Sequence, residues 1–398
     1  MIQVLVIWDY YIPGFRGGGP IASLSHLVEW LGGEVQFSIV ARDRDFGDHH
    51  PYPGIKRGCW QMVNGAKVFY VRPWGFWLPG FLRLLRQTPY DVLYLQGFFP
   101  FPTISALLAR RLGLIPARPV IIASRGDFHP AGLLLKPLKK RLYTWVAKRL
   151  RLYNKVVWQA TSEMERTEIL HGFGKEAEVN GSSIVIAPNL PPRDPLLLAS
   201  AARPAKKPGE ASVIFLSRIA RKKGLDLALR ALARVKGKIE FDIYGPIEDS
   251  EYWRECEGLM ESLPSWVRAN YRGAVRPAEV PHAFAGYHLF LFPTRGENFG
   301  HVILESLVAG CPVLIGDTTP WMNLAESGAG WVFPLSDVDG FARAMDSVIA
   351  MDAAEFDRMS HRAYEYGRRI CTSSAAIEAN RQMFLEALDR AAEEAAHI

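Results

Sequence analysis

The run F-P-T-R-G-E-N-F-G-H-V-I-L-E-S-L-V-A-G-C-P-V-L-I-G, residues 292–316, leaves this chain little freedom in how it can fold. An apolar run over 289–292 ends at Pro293, and a loop containing Gly296 follows. Short apolar runs bounded by turn residues read as buried strand ends. Asn298 is a good N-cap residue, so a helix is predicted over 299–309. Gly310 stands where a helix C-terminal glycine belongs, and Pro312 stands where a helix cannot continue. Residues 312–315 then read as the next buried strand. The first apolar run, 2–7, is broken only by Gln3 and fits a parallel sheet covered on both faces. The class is therefore α/β.

Two acids frame this unit. Glu297 lies in the loop before the helix, and Glu305 about two turns into it. At ~1.5 Å per residue they stand roughly 10–12 Å apart along the helix. That is too far for two carboxylates to share one proton or one metal. It suits two carboxylates that hold different hydroxyls of one long ligand. Between them, the backbone N–H groups of Phe299, Gly300 and His301 would form a helix N-terminus, which attracts an anion. Gly300 would let that anion approach the backbone closely. Acid, anion site, acid is the order expected for sugar, diphosphate and ribose. The plainer alternative is an ordinary strand–helix–strand unit with two solvated glutamates.

The spacing Glu-x7-Glu, with Pro-Thr-x-x-Glu-x-Phe-Gly around its first acid and Glu-x-x-x-x-Gly-x-Pro-Val from its second, resembles the signature of the retaining glycosyltransferases of family 4. That family has the GT-B fold. The resemblance implies two Rossmann-like domains facing a cleft, with a C-terminal helix crossing back to the first domain. It assigns Glu297 to the donor sugar and Glu305 to the ribose hydroxyls, with Asn298, Phe299 and Gly300 beside the donor. The run S-R-I-A-R-K-K-G, 217–224, resembles the family's Gly-Arg-Leu-x-x-x-Lys-Gly, with Ser217 in place of the first glycine. Arg218 and Lys223 then match two cations that clamp the donor diphosphate, Lys222 being the rival for the second. An arginine fork and a lysine point charge offset the charge that develops on the leaving group.

In the first half, Y-Y-I-P-G-F-R-G-G-G-P follows the first strand and departs from G-x-G-x-x-G. The resemblance places such a loop beside the acceptor and the donor diphosphate, so Gly17, Gly18 and Gly19 would bring backbone N–H groups near the phosphates. Many family members carry His-Gly after the strand at 120–123. Here the pair is Arg125-Gly126, as in a subgroup of bacterial polysaccharide transferases with a Lys-rich helix downstream. An arginine cannot act as a base near neutral pH. Arg125 would instead stabilise a phosphate or an acceptor anion, with Asp127 and His129 as alternative acceptor contacts. Arg295 and His301 flank the sugar end, Glu163 and Glu165 read as helix-start acids, and Glu248, Asp249 and Glu251 read as solvated.

A chain of 398 residues suits two domains. The expected division is an acceptor-side domain over 1–190, a linker over 191–210 rich in proline, alanine and charge, a nucleotide-sugar domain over 211–374, and a helix over 375–398 packing back on the first domain. The net charge of +6 favours acidic partners. Lys136, Lys139, Lys140, Arg141, Lys148, Arg149, Arg151 and Lys155 interleave with Leu138, Leu142 and Trp145, a pattern that suits an anionic membrane surface. The run from Trp74 through Phe76, Leu78 and Phe81 to Leu85 reads as a second interfacial segment or as a buried helix with its approach loop, the interface being favoured. No nucleic-acid motif accompanies the charge, so nucleic acid is not an expected partner.

The four cysteines are scattered without a C-x-x-C pair, which fits a reducing compartment and no zinc site. Asp43-Arg44-Asp45 matches a D-x-D string that holds a metal in another transferase fold. Its arginines would neutralise the acids, so it reads as a solvated or acceptor-side loop, and neither metal nor other cofactor is expected. The opening M-I-Q-V-L-V-I-W-D reads as a core strand and not a signal peptide. No apolar run reaches the ~18 residues of a membrane span.

The expectation is a cytoplasmic enzyme, peripheral at the inner face of the cell membrane. It would transfer a hexosyl unit with retention, without metal, from a UDP- or GDP-linked sugar to a glycan acceptor, lipid-linked, in bacterial exopolysaccharide or lipopolysaccharide synthesis. With no nucleophilic side chain in view, a front-face displacement fits. Two alternatives stand beside it: another GT-B enzyme such as a nucleotide-sugar epimerase or hydrolase, and a catalytically silent nucleotide-sugar-binding subunit of a membrane assembly.

Overall fold

The computed structural model describes residues 1–77, 79–133, 137–179, 181–193, 205–276 and 279–396. Leu78, Lys136, residues 194–204 of the expected linker and residues 397–398 of the expected final helix lie outside the described residues. The chain divides into two compact units, Met1–Arg193 with Ser373–Ile398, and Asp194–Thr372.

The first unit holds β1 (Ile2–Ile7), β2 (Val35–Arg42), β3 (Trp60–Val63), β4 (Ala66–Val71), β5 (Val92–Gln96), β6 (Val120–Ala123), β7 (Val156–Ala160) and β8 (Ser183–Ile186). They form one sheet in the order β3-β4-β2-β1-β5-β6-β7-β8, parallel except for the β3–β4 pair. The second unit holds β9 (Glu210–Leu216), β10 (Lys238–Tyr244), β11 (Val267–Gly273), β12 (Leu289–Phe292), β13 (Val313–Gly316) and β14 (Gly330–Phe333). These pair in parallel in the order β11-β10-β9-β12-β13-β14. Every residue of β5, β6, β7, β12 and β13 is buried, because helices cover both faces of a parallel sheet.

In each sheet the winding reverses once, between β1 and β5 and between β9 and β12. At such a reversal, the loops leaving the carboxyl ends of neighbouring strands diverge to opposite faces and open a crevice, where ligands bind in open α/β sheets. In the second unit, the two loops at this point are 217–224 and 293–300, the two motifs singled out above.

The final helix, Ser374–Ala396, is part of the first unit. Met383, Phe384 and Ala387 are buried in its core, with the Phe384 ring 6.0 Å from Phe37 and 5.6 Å from Tyr94. Asn380 Nδ2 donates to the Pro188 carbonyl at 2.7 Å, and Arg381 forks onto Glu34 at 2.7 Å on each arm.

The two segments expected at a membrane differ. The helix Pro79–Gln87 turns Phe81 and Leu85, one turn apart, into the core beside Phe76, while Arg83 and Arg86 face out. Among the apolar residues of that segment whose burial is described, Trp74 alone is widely exposed, which favours the buried-helix reading over the interfacial one. The helix Pro137–Arg149 buries Ala147 alone. Its Leu138, Leu142 and Trp145 are 80, 62 and 64% exposed, amid exposed Lys139, Arg141 and Arg149. Among the described residues no helix is long and apolar enough to cross a membrane.

Candidate functional site

The crevice edge of the second sheet is knitted from its two loops. After β9, Ser217 N donates to the Tyr244 carbonyl at 3.0 Å and Ile219 N to that of Pro246 at 2.9 Å. These bonds carry the chain along 244–248 and bring Arg218 to Glu248, 2.7 Å away. A tight turn, Arg221–Lys223, ends at Gly224, whose φ of 76° is left-handed. A Cβ there would stand 2.0 Å from the Pro293 carbonyl oxygen, so glycine alone lets this turn lie on the end of β12.

The second loop reaches back. Arg295 N donates to the Lys222 carbonyl at 2.7 Å, and the Arg295 guanidinium forks onto both oxygens of Asp226 at 2.9 and 2.7 Å. Thr318 Oγ1 donates to the Thr294 carbonyl, Glu297 N to that of Thr318, and the Trp321 indole to that of Phe299. On this frame Lys223 Nζ is ion-paired with Glu297, each side chain about 15% exposed, and lies over the Phe292 ring, 5.6 Å from its centre. The structure thus joins one residue of each motif in direct contact.

The helix after this loop runs His301–Val308, shorter than predicted. Its cap position is Gly300, at φ 76°, not Asn298. A left-handed glycine redirects the chain two residues later than the Asn298 side chain would. Asn298 and Phe299 therefore belong to the loop, where Phe299 packs against His301 and Trp321. Glu305 lies on this helix and is partly exposed. Burial pushes its carboxyl up to about 7, and no cation offsets that burial.

Three expectations for this unit are corrected. Arg295 is committed to Asp226 as a brace between the loops, and not placed at the sugar end. Glu248 is the partner of Arg218. Asp249 caps the helix Ser250–Glu261, accepting from the amides of Glu251 and Tyr252 at 3.1 and 3.0 Å.

At the crevice edge of the first sheet, Gly18 caps the helix Gly19–Leu31, which Gly19 opens. The preceding loop is anchored by Asp45, which accepts from Phe15 N and Arg16 N at 2.8 and 3.0 Å. Asp43 pairs with Arg44 at 2.8 Å and Arg57 at 3.5 Å. Both aspartates are buried, which corrects the solvated reading of this string; the neighbouring arginine does neutralise Asp43.

Arg125 follows β6 with φ 51°, a left-handed conformation that costs a residue with a side chain. Its Nε donates to Gln96 Oε1 at 2.8 Å, Nη1 to Asn189 Oδ1 at 2.6 Å, and Nη2 to the Tyr94 hydroxyl at 3.4 Å. Beneath it, buried Glu165 accepts from Gly126 N at 2.9 Å and from Thr161 N and Oγ1 at 2.7 Å each. That acid is a clamp on the Arg125 turn besides belonging to a helix start. Asp127 accepts from Phe98 N at 2.6 Å and Phe99 N at 3.3 Å, and burial raises its carboxyl. His129 is buried, its Nε2 3.7 Å from Glu168. Of these three, Arg125 is the one set at the crevice edge by contacts from β5 and from the segment after β8.

The residues that sequence reasoning missed are partners: Asp226, Glu248, Trp321, Gln96 and Asn189. Each acts across 22 to 69 residues of chain, and only Gln96, a polar residue closing the apolar run V-L-Y-L-Q, carried a local signal.

Residues 199–370 match the family model described as glycosyl transferases group 1. The phosphatidyl-myo-inositol mannosyltransferase of Mycolicibacterium smegmatis is 29% identical over 166 residues, 39% of this chain and 41% of that one. A GDP-mannose-dependent alpha-(1-6)-phosphatidylinositol monomannoside mannosyltransferase of Mycobacterium tuberculosis is 25% identical over 287 residues, 68% of this chain and 72% of that one. The chain spans about two fifths of the length of the first curated relatives it matches. The structure of Anabaena HepE in complex with UDP and glucose superposes with a TM-score of 0.67 at 17% identity, over 100% of both chains. At that identity the likeness establishes the fold, which is GT-B.

Proposed function

We propose that this chain, whose residues 199–370 match the model of the group 1 glycosyl transferases, is a retaining hexosyltransferase that works without a metal. Its donor is a UDP- or GDP-linked sugar, and its acceptor a lipid-linked glycan in bacterial surface polysaccharide synthesis. The observation that carries this reading is the Lys223–Glu297 pair at the reversal of the second sheet. One residue of that pair suits a diphosphate and the other a sugar hydroxyl, and a donor would take the place of the contact between them.

Arg218 and Lys223 receive the diphosphate, and Glu297 accepts hydrogen bonds from the sugar. Glu305 accepts from the ribose hydroxyls in its ionised form. The bond from the anomeric carbon to the phosphate oxygen breaks. The acceptor oxygen bonds to that carbon on the same face, and its proton passes to the departing phosphate. The two cations offset the charge of that phosphate, the largest single contribution a preorganised site makes. Arg125 offers a guanidinium to an anionic group at the acceptor side, and the Gly18–Gly19 turn lines the same edge. The acceptor and the inner membrane face are supported by the exposed Leu138, Leu142 and Trp145 among cations. They are supported also by the lipid acceptors in the relatives' names.

The test is a thermal-shift screen against UDP, GDP, ADP and their sugar conjugates without metal. Stabilisation by one nucleotide series, lost in Glu305→Ala and Arg218→Ala, is the expected result. No shift with any of them, with or without added magnesium or manganese, overturns the reading.

A further inference from the structure

At the opposite edge of the first sheet, where β6 and β7 begin, lies a cavity of about 630 Å³. Its lining includes Arg110, Arg111, Arg118, Arg151, Lys155 and Arg390 and, among the described residues, no carboxylate. It is separate from the crevice described above: Arg125 leaves β6 at the far end of a strand roughly 13 Å long.

The cations are held in place by backbone. Arg110 donates to the carbonyls of Asn154 and Lys155 at 2.9 and 3.0 Å, and Arg111 to that of Leu150 at 3.0 Å. Arg151 and Lys155 lie in a tight turn, with φ of 54° and 55°. Arg390 shares Glu386 at 3.1 Å, whereas Arg118 and Arg151 have no ion pair among the described residues. Concentrating so much like charge, with Arg118 and Arg151 making no ion pair among the described residues, costs free energy unless an anion offsets it.

Its rim is apolar. Leu112, next to Arg111, is 69% exposed, and Leu150, next to Arg151, is 45% exposed. The Arg111–Leu150 hydrogen bond holds the two together. From Leu150 the surface continues onto the helix Pro137–Arg149 with its exposed Trp145, Leu142 and Leu138. A basic hollow of about 630 Å³, with exposed leucines next in sequence to two of its cations and a basic amphipathic helix leading into it, matches the chemistry of an anionic phospholipid. Its headgroup is charged and its adjoining chains are apolar. Nucleic acid would use the charge but not the leucines.

We propose that this cavity seats the headgroup phosphate of an anionic phospholipid, with Leu112 and Leu150 entering the interface beside it. The proposal rests on the membrane reading above and supplies it with a specific seat.

The test is flotation of the full-length protein with phosphatidylcholine vesicles, with and without about a third phosphatidylglycerol. Arg118→Glu/Arg151→Glu is compared with Lys236→Glu/Arg254→Glu, an equal charge change on exposed residues of the second unit. Wild type and the control pair are expected to float with the anionic vesicles, and the cavity pair to lose at least about tenfold in partitioning. The proposal is overturned if wild type ignores the anionic vesicles, if both pairs lose equally, or if the cavity pair binds unchanged. It is equally overturned if wild type prefers duplex DNA to the vesicles. A nucleotide-induced thermal shift that survives in the cavity pair shows a folded protein. If that shift is absent from every variant and from wild type, the transferase reading fails, and the vesicle result stands apart from it.

Discussion

The crevice edges of the two sheets hold their cations in opposite ways. In the second unit, Lys223 leans on Glu297 and Arg218 on Glu248, each cation neutralised by a carboxylate. In the first unit, Arg125 is held by two amide oxygens and a phenol, all neutral. A carboxylate-bound cation has little field to spare until its partner is displaced, so its site is switched by the ligand that displaces it. A cation fixed by neutral dipoles keeps its whole charge and waits in position. On the function proposed above, the second unit would exchange its carboxylates for a large multivalent ligand, and the Arg125 turn would capture a single charged group.

The comparison breaks most sharply at the exchange site. Lys223→Ala should lower the transfer rate by roughly 100- to 1000-fold, since it removes a donor aimed at developing charge and strands Glu297. Arg218→Ala, whose side chain is more exposed, should cost less, and single-turnover kinetics ranks the two. A Lys223→Ala enzyme with unaltered turnover would remove the case for exchange. Next in size is Arg125→Gln. We expect a 10- to 100-fold rise in KM for the acceptor, with the nucleotide-induced thermal shift unchanged and partial recovery in Arg125→Lys. An equal loss in the nucleotide shift would move Arg125 to the donor.

Smaller and more diagnostic is the pH dependence at Glu305. Its carboxyl titrates near 7 in the folded protein against 4.5 ordinarily, so the fold favours the neutral acid. Between those values the native state binds the extra proton, and the stability of the ligand-free protein falls as pH rises from 4.5 through 7. Glu305→Gln should therefore stabilise the ligand-free protein at pH 8 by roughly 1–3 kcal/mol and leave it unchanged at pH 4, read by thermal denaturation. Ribose hydroxyls need the carboxylate, so nucleotide affinity should climb about tenfold per pH unit below 7 and level above it, and calorimetry at pH 5, 6 and 8 tests this. The least effect on chemistry is expected of Arg295→Ala. It should cost about 1–3 kcal/mol of stability by leaving buried Asp226 without its fork, with denaturant unfolding as the measure.

The strand–helix–strand run at 292–316 was legible because turn residues and apolar runs are local signals. The same local reasoning placed the helix start at Asn298, since a capping side chain is visible in a sequence and a left-handed Gly300 is not. Arg295 looked like a ligand contact because its partner, Asp226, is 69 positions away. The string at 43–45 looked solvated because nothing nearby in sequence tells that Asp45 anchors the backbone of Phe15 and Arg16. Over 74–85, apolar composition alone did not separate a core-facing helix from an interfacial one. Only the direction of Phe81 and Leu85 decides it. Residues that sit in a motif were thus visible in the sequence, and the distant partners that brace them were not.

The helix Ser374–Ala396 closes the core over Phe37 and Tyr94, yet it leaves the ribosome after all of Asp194–Thr372. During synthesis the second unit has its full set of strands while the first still lacks Met383 and Phe384. Maturation therefore runs against the order of translation. The half made first is sealed last, and until then Phe37 and Tyr94 lack the ring that covers them.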